Sequence, residues 1–193
     1  MEEEIIEIRE IIQEINRRYA DKPDYKMKSG EIFPTDTVPV LAMEGKQITA
    51  RLFRWGIPRW QGKGVVINAR RETVLEKNMF RQAFLKRRCI IPSTGFYEWK
   101  QAAGSRKKDK YLLHSPDSPM LYMAGIYIED SQAGLQLPGF VILTTQASPS
   151  MQAIHDRMPV ILSRQEQADW LQDEAWARHV LEREGPQLQA LAV

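Results

Sequence analysis

Apolar residues near the start of the chain follow a helical period. Ile5, Ile8, Ile12, Ile15 and Tyr19 recur at alternating steps of three and four, and Ile6 and Ile11 widen the stripe. Acidic Glu2 to Glu4 and basic Arg17-Arg18 suit the two ends of a helix dipole. The pattern predicts an amphipathic helix that stops at Lys22-Pro23. A stripe of fewer than three heptads reads as a core-packing face rather than a partner zipper.

Beyond that helix the period shifts toward two. Short β-rich runs recur at 37–42, 47–53, 64–68, 88–91, 95–100, 110–114, 120–128 and 140–144, punctuated by Gly, Pro, Asp and Ser. So many strands with so few helices between them predict an α+β fold. The expected form is a single domain, 1–193, with a mainly antiparallel or mixed β-sheet forming a barrel-like core and a few flanking helices. One helix is expected at 72–87, where Thr73, Glu76, Phe80 and Phe84 lie three or four apart. Ser163-Arg164-Gln165-Glu166 is a capping box that announces another helix through Ala168, Trp170 and Leu171. Residues 101–109 and 130–138 read as exposed loops.

Three polar clusters interrupt this apolar pattern. Asn68-Ala69-Arg70 follows Val65-Val66-Ile67, Glu98 sits inside Gly95-Phe96-Tyr97-Glu98-Trp99-Lys100, and His155-Asp156-Arg157 precedes Met158-Pro159-Val160-Ile161. In a strand, Glu98 points to one face and Tyr97 and Trp99 to the other. A desolvated carboxylate there could serve in proton transfer, or it could be held in an ion pair. His155 is the histidine with an adjacent Asp and Arg, which makes it the general acid or base candidate over His114 and His179. Asn68 and Arg70 share one strand face; the guanidinium suits a phosphate, and the amide either orients a polar group or makes a structural hydrogen bond.

Bulk composition narrows the class. With 193 residues, 43% hydrophobic and 27% charged, the chain suits one compact domain. No run approaches the roughly 20 apolar residues of a membrane span, and the acidic N-terminus is unlike a secretory signal, so a soluble cytoplasmic protein is expected. Cys89 is the single cysteine, which excludes an internal disulfide; with three scattered histidines it makes no metal-ligand spacing. Cys89 lies in an apolar strand and reads as a packing residue.

The net charge of +2 hides an uneven distribution. Between residues 45 and 71 there is no Asp or Glu, while Lys46, Arg51, Arg54, Arg59, Lys63, Arg70 and Arg71 are basic. A second basic stretch contains Arg81, Lys86, Arg87, Arg88, Lys100, Arg106, Lys107, Lys108 and Lys110. Such asymmetry points to a polyanion, although solvated faces would look the same. Phe53, Trp55 and Trp60 are interleaved with the first stretch and suit stacking on unpaired bases; Trp60, beside Pro58 and Gly62, is the tryptophan expected to be exposed.

Four motifs in register then carry a resemblance. Phe53-Arg54-Trp55-Gly56, Ile67-Asn68-Ala69-Arg70-Arg71-Glu72-Thr73, the run 88–100 ending in Phe96-Tyr97-Glu98-Trp99-Lys100, and Ile154-His155-Asp156-Arg157-Met158-Pro159 resemble the SOS response-associated peptidase family, the SRAP domain. The likeness runs over about 30–171. It implies binding of single-stranded DNA at abasic sites as a monomer in the cytoplasm, at the nucleoid when on DNA, with no metal or organic cofactor and no membrane. It also implies self-processing that removes the initiator Met, exposing a cysteine that condenses with the ring-opened sugar aldehyde to a thiazolidine.

By the same resemblance Asn68 orients the terminal amine or thiol, Glu98 positions amine and sugar, and His155 acts as acid and base. Arg70 and Arg157 hold flanking phosphates, Trp60 and the Pro34 turn shape the DNA cleft, and Thr144 lines the pocket. The family begins Met-Cys-Gly-Arg, whereas this sequence reads Met1-Glu2-Glu3-Glu4 and ends at Leu191-Ala192-Val193 without the usual closing segment. A start site further upstream is the favoured explanation, because the other pocket residues are present; loss of the cross-linking residue is the other. A thiazolidine needs a thiol beside the amine, so cross-linking is not expected of residues 1–193 alone. Two further classes stand beside this reading. One is a non-covalent single-stranded nucleic-acid binding module. The other is a general peptidase, for which the sequence offers no Ser-His-Asp or Cys-His arrangement.

Overall fold

The computed structural model describes residues 2–22, 24–59, 62–101, 104, 107–129 and 136–193. It opens with helix α1 (Glu2–Arg18), then a hairpin of β1 (Thr37–Glu44) and β2 (Gln47–Trp55). Short strands β3 (Ile57–Pro58), β4 (Val65–Val66) and β5 (Asn68–Arg70) lead to a 3-10 turn at Arg71–Thr73 and helix α2 (Asn78–Lys86). Strands β6 (Arg88–Ser93), β7 (Phe96–Gln101), β8 (Lys108–His114), β9 (Leu121–Ile128) and β10 (Gly139–Gln146) follow. The chain continues with β11 (Arg157–Pro159), β12 (Ile161–Leu162), helices α3 (Gln167–Gln172) and α4 (Glu174–Val180), and β13 (Gln189–Ala192).

The main sheet closes on itself. β2 pairs with β1, β1 with β6, β6 with β9, β9 with β10, and β10 returns to β2 in parallel through Gly139–Arg54 and Phe140–Trp55. This ring-like mixed sheet is the sheet-rich α+β architecture that the strand pattern predicts. Alternation along each strand then sorts its side chains between two cores. Val38, Val40, Ala42, Phe53, Cys89, Ile91, Met123, Tyr127, Phe140 and Ile142 all come from the ring strands and fill its interior. Their neighbours Leu41, Leu52, Ile90, Ala124, Ile126, Val141 and Leu143 face outward beneath α1 to α4. The interior is full at Gly125, where a Cβ would lie 2.5 Å from Ile91 Cδ1 and 3.1 Å from Cys89 Sγ. Cys89 is buried there as a packing residue, and burial pushes its thiol well above the ordinary range.

A second sheet, β13-β8-β7, sits at one end of the ring. A third core of Leu113, Leu121, Ala147, Met151, Met158, Ile161 and Leu188 joins it to the ring, with Phe96 and Ile154 packed against that cluster. The neighbours of those two residues, Glu98 on β7 and His155 in the turn before β11, are thereby held at the same end.

Several elements differ from the pattern-based expectation. In α1 the buried face is centred on Ile11 and Ile15, with Ile8 and Tyr19 packed beside them, while Ile12 is 36% exposed. Isoleucines at so many positions leave the stripe broad, and docking onto β2 selects the face; Glu14 and Tyr19 accept the N–H groups of Ala50 and Leu52. The helix expected at 72–87 starts only at Asn78, because Lys77 is extended (φ −82°, ψ 115°) and residues 71–73 form a separate 3-10 turn. The Ser163–Glu166 capping box is present, with Ser163 N donating to Glu166 Oε2 at 2.7 Å, but it caps a 3-10 turn that leads into α3. Strands β3, β11, β12 and β13 are too short or too irregular to stand out in sequence. The loop expected at 101–109 is narrower, since β7 reaches Gln101 and β8 begins at Lys108, while 136–138 precede β10 as expected; 102, 103, 105, 106 and 130–135 lie outside the described residues.

Candidate functional site

The polar site grows out of the interior face of the ring. On β10 that face carries Phe140 and Ile142, and two residues further along it carries Thr144. β5 lies parallel to β10 with Asn68 opposite Ile142 and Arg70 opposite Thr144, so both side chains join the same face while Ala69 between them is buried. β11 approaches from the other side, with Pro159 opposite Thr144. Thus a hydrocarbon interior gives way, over one strand step, to an amide, a guanidinium and a hydroxyl.

These groups border a cavity of about 1000 Å³. Asn68, Arg70, Glu98, Thr144, His155, Arg157 and Pro34 all line it, and α1 contributes Ile8, Ile11 and Ile12 to its apolar wall. Trp60 lies outside the described residues.

Glu98 is half-buried and no ion pair holds it among the described residues. Burial raises its carboxyl above the ordinary carboxylate range, and the charge of His155 and a backbone hydrogen bond at Trp99 only partly oppose this. Tyr97 and Trp99 also border the cavity, and the Lys110 ammonium lies 3.9 Å and 5.8 Å from their ring centroids. His155 is anchored through one ring nitrogen. Nδ1 lies 3.0 Å from Arg157 N, 3.2 Å from Arg157 O and 3.2 Å from Asp156 Oδ1, while Nε2 has no protein partner among the described residues.

The two arginines differ. Arg70 is exposed, and among the described residues neither its guanidinium nor the Asn68 amide has a hydrogen-bond partner. Arg157 is engaged. It donates to both carboxylate oxygens of Glu72 (2.8 and 2.9 Å) and to the Thr144 carbonyl at 2.7 Å. Glu72, lowered mainly by this hydrogen bonding, is a site residue that the spacing of polar clusters did not reveal. Its one sequence signal is that it is the first acid after the acid-free segment.

Pro34 occupies a tight turn in which Asp36 N–H donates to Phe33 O at 3.0 Å and Thr35 takes φ 81°. That is the geometry of a type II turn with threonine where glycine is usual, a strain tolerated because Thr35 N–H is tied to Trp55 O at 2.8 Å.

The basic stretches do not assemble into one track. Of the cations between residues 45 and 71, only Arg70 borders the cavity; Arg51 pairs with Glu129, and Arg71 donates to Arg183 O. Lys110 pairs with Glu31, and Arg88 is buried. Phe53 is fully buried in the ring and so is not the base-stacking residue that its position among basic residues suggested, whereas Trp55 is half-buried at the cavity with Nε1 donating to Ile67 O. Among the described residues, no group of three or more His, Cys, Asp or Glu is arranged to hold a metal ion.

Comparison with known proteins fits this geometry. The profile of the family described as SOS response associated peptidase (SRAP) matches residues 3–193. The chain belongs to the SRAP family. It is 34% identical over 160 residues to the abasic site processing protein YoaM of Bacillus subtilis, covering 80% of this chain and 70% of that protein. It is 33% identical over 172 residues to the abasic site processing protein YoqW of the same organism, covering 86% and 76%. A crystal structure of a protein from Bacteroides thetaiotaomicron shares the fold with a TM-score of 0.69 at 29% identity, covering 82% of this chain and 74% of that one.

Proposed function

We propose that this SRAP protein recognises abasic sites in single-stranded DNA and promotes opening of the abasic sugar. The observation that carries the reading is the convergence of Asn68, Glu98 and His155 on one cavity beside the unpartnered Arg70. The relatives YoaM and YoqW, named as abasic site processing proteins, support the same substrate. A sugar without a base fits a pocket that is apolar at depth and polar at its rim.

In this reading Arg70 binds a backbone phosphate and Asn68 hydrogen-bonds the sugar or an incoming amine. Ring opening requires a proton to leave the C1 hydroxyl and a proton to reach the ring oxygen as the C1–O bond breaks. His155, with Nδ1–H donating to Arg157 O at 3.2 Å, performs the exchange through Nε2, which takes the proton from the C1 hydroxyl and returns it to the ring oxygen. Glu98, whose carboxyl burial raises above the ordinary range, orients the sugar and supplies a proton when an amine adds to the aldehyde and water leaves. Covalent capture as a thiazolidine needs a thiol beside that amine. Cys89 cannot provide it, being sealed in the ring interior. Capture, and the self-processing that precedes it in the family reading, would use these same groups wherever a cysteine-bearing terminus reaches the cavity. Among the described residues no helix is long and apolar enough to cross a membrane, in keeping with a DNA-associated role.

The test uses labelled single strands with and without an abasic site, and an added alkoxyamine that traps free aldehyde. The protein should prefer the abasic strand and accelerate trapping, and Glu98→Ala and His155→Ala should each slow trapping by about ten-fold or more. Equal binding to both strands, with no dependence on Glu98 or His155, would instead make the protein a plain single-strand binding module.

A further inference from the structure

Among the described residues Glu72 is the one acid in contact with a guanidinium of the cavity wall, and the contact is complete on the side a phosphate would use. Arg157 Nη1 donates to Glu72 Oε1, and Nη2 donates to Glu72 Oε2 and to Thr144 O, with Thr144 Oγ1 at 3.4 Å. The remaining donor, Nε, is buried and has no protein partner. The outer fork of Arg157 is therefore occupied by a carboxylate, which has the same two-oxygen shape and charge sign as a phosphate edge. Arg70, which faces the same cavity from β5, carries no such partner.

We propose that Glu72 is an internal competitor for the DNA phosphate. It holds Arg157 in a closed pair, so that Arg70, the cavity guanidinium without a partner among the described residues, reads the strand backbone and general affinity for single strands stays low. This rests on the single-strand binding reading above. Glu72 has an alternative partner for the moments when a phosphate takes the fork. Arg71 Nε lies 3.9 Å from Glu72 Oε1, close enough to receive the carboxylate after a small rotation. The Glu72 side chain is 41% exposed, so such a rotation meets solvent rather than packed hydrocarbon. The Arg157 backbone carbonyl that orients His155 belongs to strand β11 and does not depend on where the guanidinium points.

The competition has a signature that simple stabilisation by the pair lacks. Each phosphate neutralised by a protein cation on a single strand changes the slope of log affinity against log salt by about −0.7. Binding of a fluorescent intact strand, and of one carrying a tetrahydrofuran abasic analogue, would be measured across a salt series. Glu72→Gln should tighten both strands about three- to ten-fold at low salt and steepen both slopes by about 0.7, leaving the preference for the abasic strand unchanged. Arg70→Gln should flatten the wild-type slope by about 0.7, and Arg157→Gln should leave it as it was.

An unchanged or shallower slope in folded Glu72→Gln overturns the proposal. So does an Arg157→Gln slope as flat as that of Arg70→Gln, which would mean that Arg157 already binds phosphate with Glu72 in place. This second arm decides the matter if Glu72→Gln fails to fold. A wild-type protein that binds neither strand overturns the proposed function itself, a result distinct from either.

Discussion

Burial pushes the carboxyl of Glu98 up while the charge of His155 pulls it down, and burial prevails. Glu98 lies on β7 and His155 in the turn before β11, and they meet because Phe96 and Ile154, their near neighbours, pack on one apolar cluster. The folded-state pKa of Glu98 thus lies above its ordinary value of 4.5. Below that value folded and unfolded chains are both protonated at this position. The stabilisation that the protonated form contributes is lost as pH rises through the folded pKa. Glu98→Gln should match wild-type stability near pH 4 and exceed it at pH 8. Thermal melts at the two pH values check this; a variant less stable at pH 8 contradicts it.

Arg88 should be a stability residue and not a DNA contact. Its guanidinium is buried and donates to Phe84 O, Leu85 O, Trp170 O and Leu171 O, joining the C-terminal ends of α2 and α3. Arg88→Met would strand these carbonyls and is expected to cost about 3 kcal/mol in urea unfolding. The salt slope of strand binding should not change.

Gly95 sets the distance between β7 and β8. A Cβ there would stand 2.6 Å from Leu113 O, and a backbone atom cannot move aside as a flexible side chain can. Gly95→Ala should cost about 1–3 kcal/mol and shift Glu98 with the displaced strand. Aldehyde trapping should therefore fall even at temperatures where the variant remains folded.

Cys89 should be chemically silent in the folded protein. It is fully buried and its thiol is raised well above the ordinary range. Alkylation by iodoacetamide should proceed only after unfolding. Cys89→Ala should leave aldehyde trapping unchanged while costing about 1 kcal/mol of stability.

Much of the scaffold is legible along the chain. Each of the eight β-rich runs contains observed strand, because alternation is a local property that survives any arrangement of neighbours. Asn68, Glu98 and His155 stand out for a related reason: each is a polar interruption of an apolar stretch, and a chain rarely spends buried positions on such groups without use. The basic stretches misled by comparison. Charge density along a sequence says nothing about direction, and Arg51, Arg71, Arg88 and Lys110 each turn to a protein partner.

Periodicity thus determined which residues form strands, which polar groups interrupt them and which cysteine is sealed among apolar neighbours. Tertiary structure alone decided that β10 closes the ring by pairing in parallel with β2, that α1 buries Ile11 and Ile15 while leaving Ile12 at the cavity, and that Glu72 grips Arg157. The reason is one of range. Helical and strand periods come from backbone geometry acting over a few residues, whereas each of these outcomes is a contact between distant segments, chosen by whichever packing buries the most hydrocarbon and pairs the most charge.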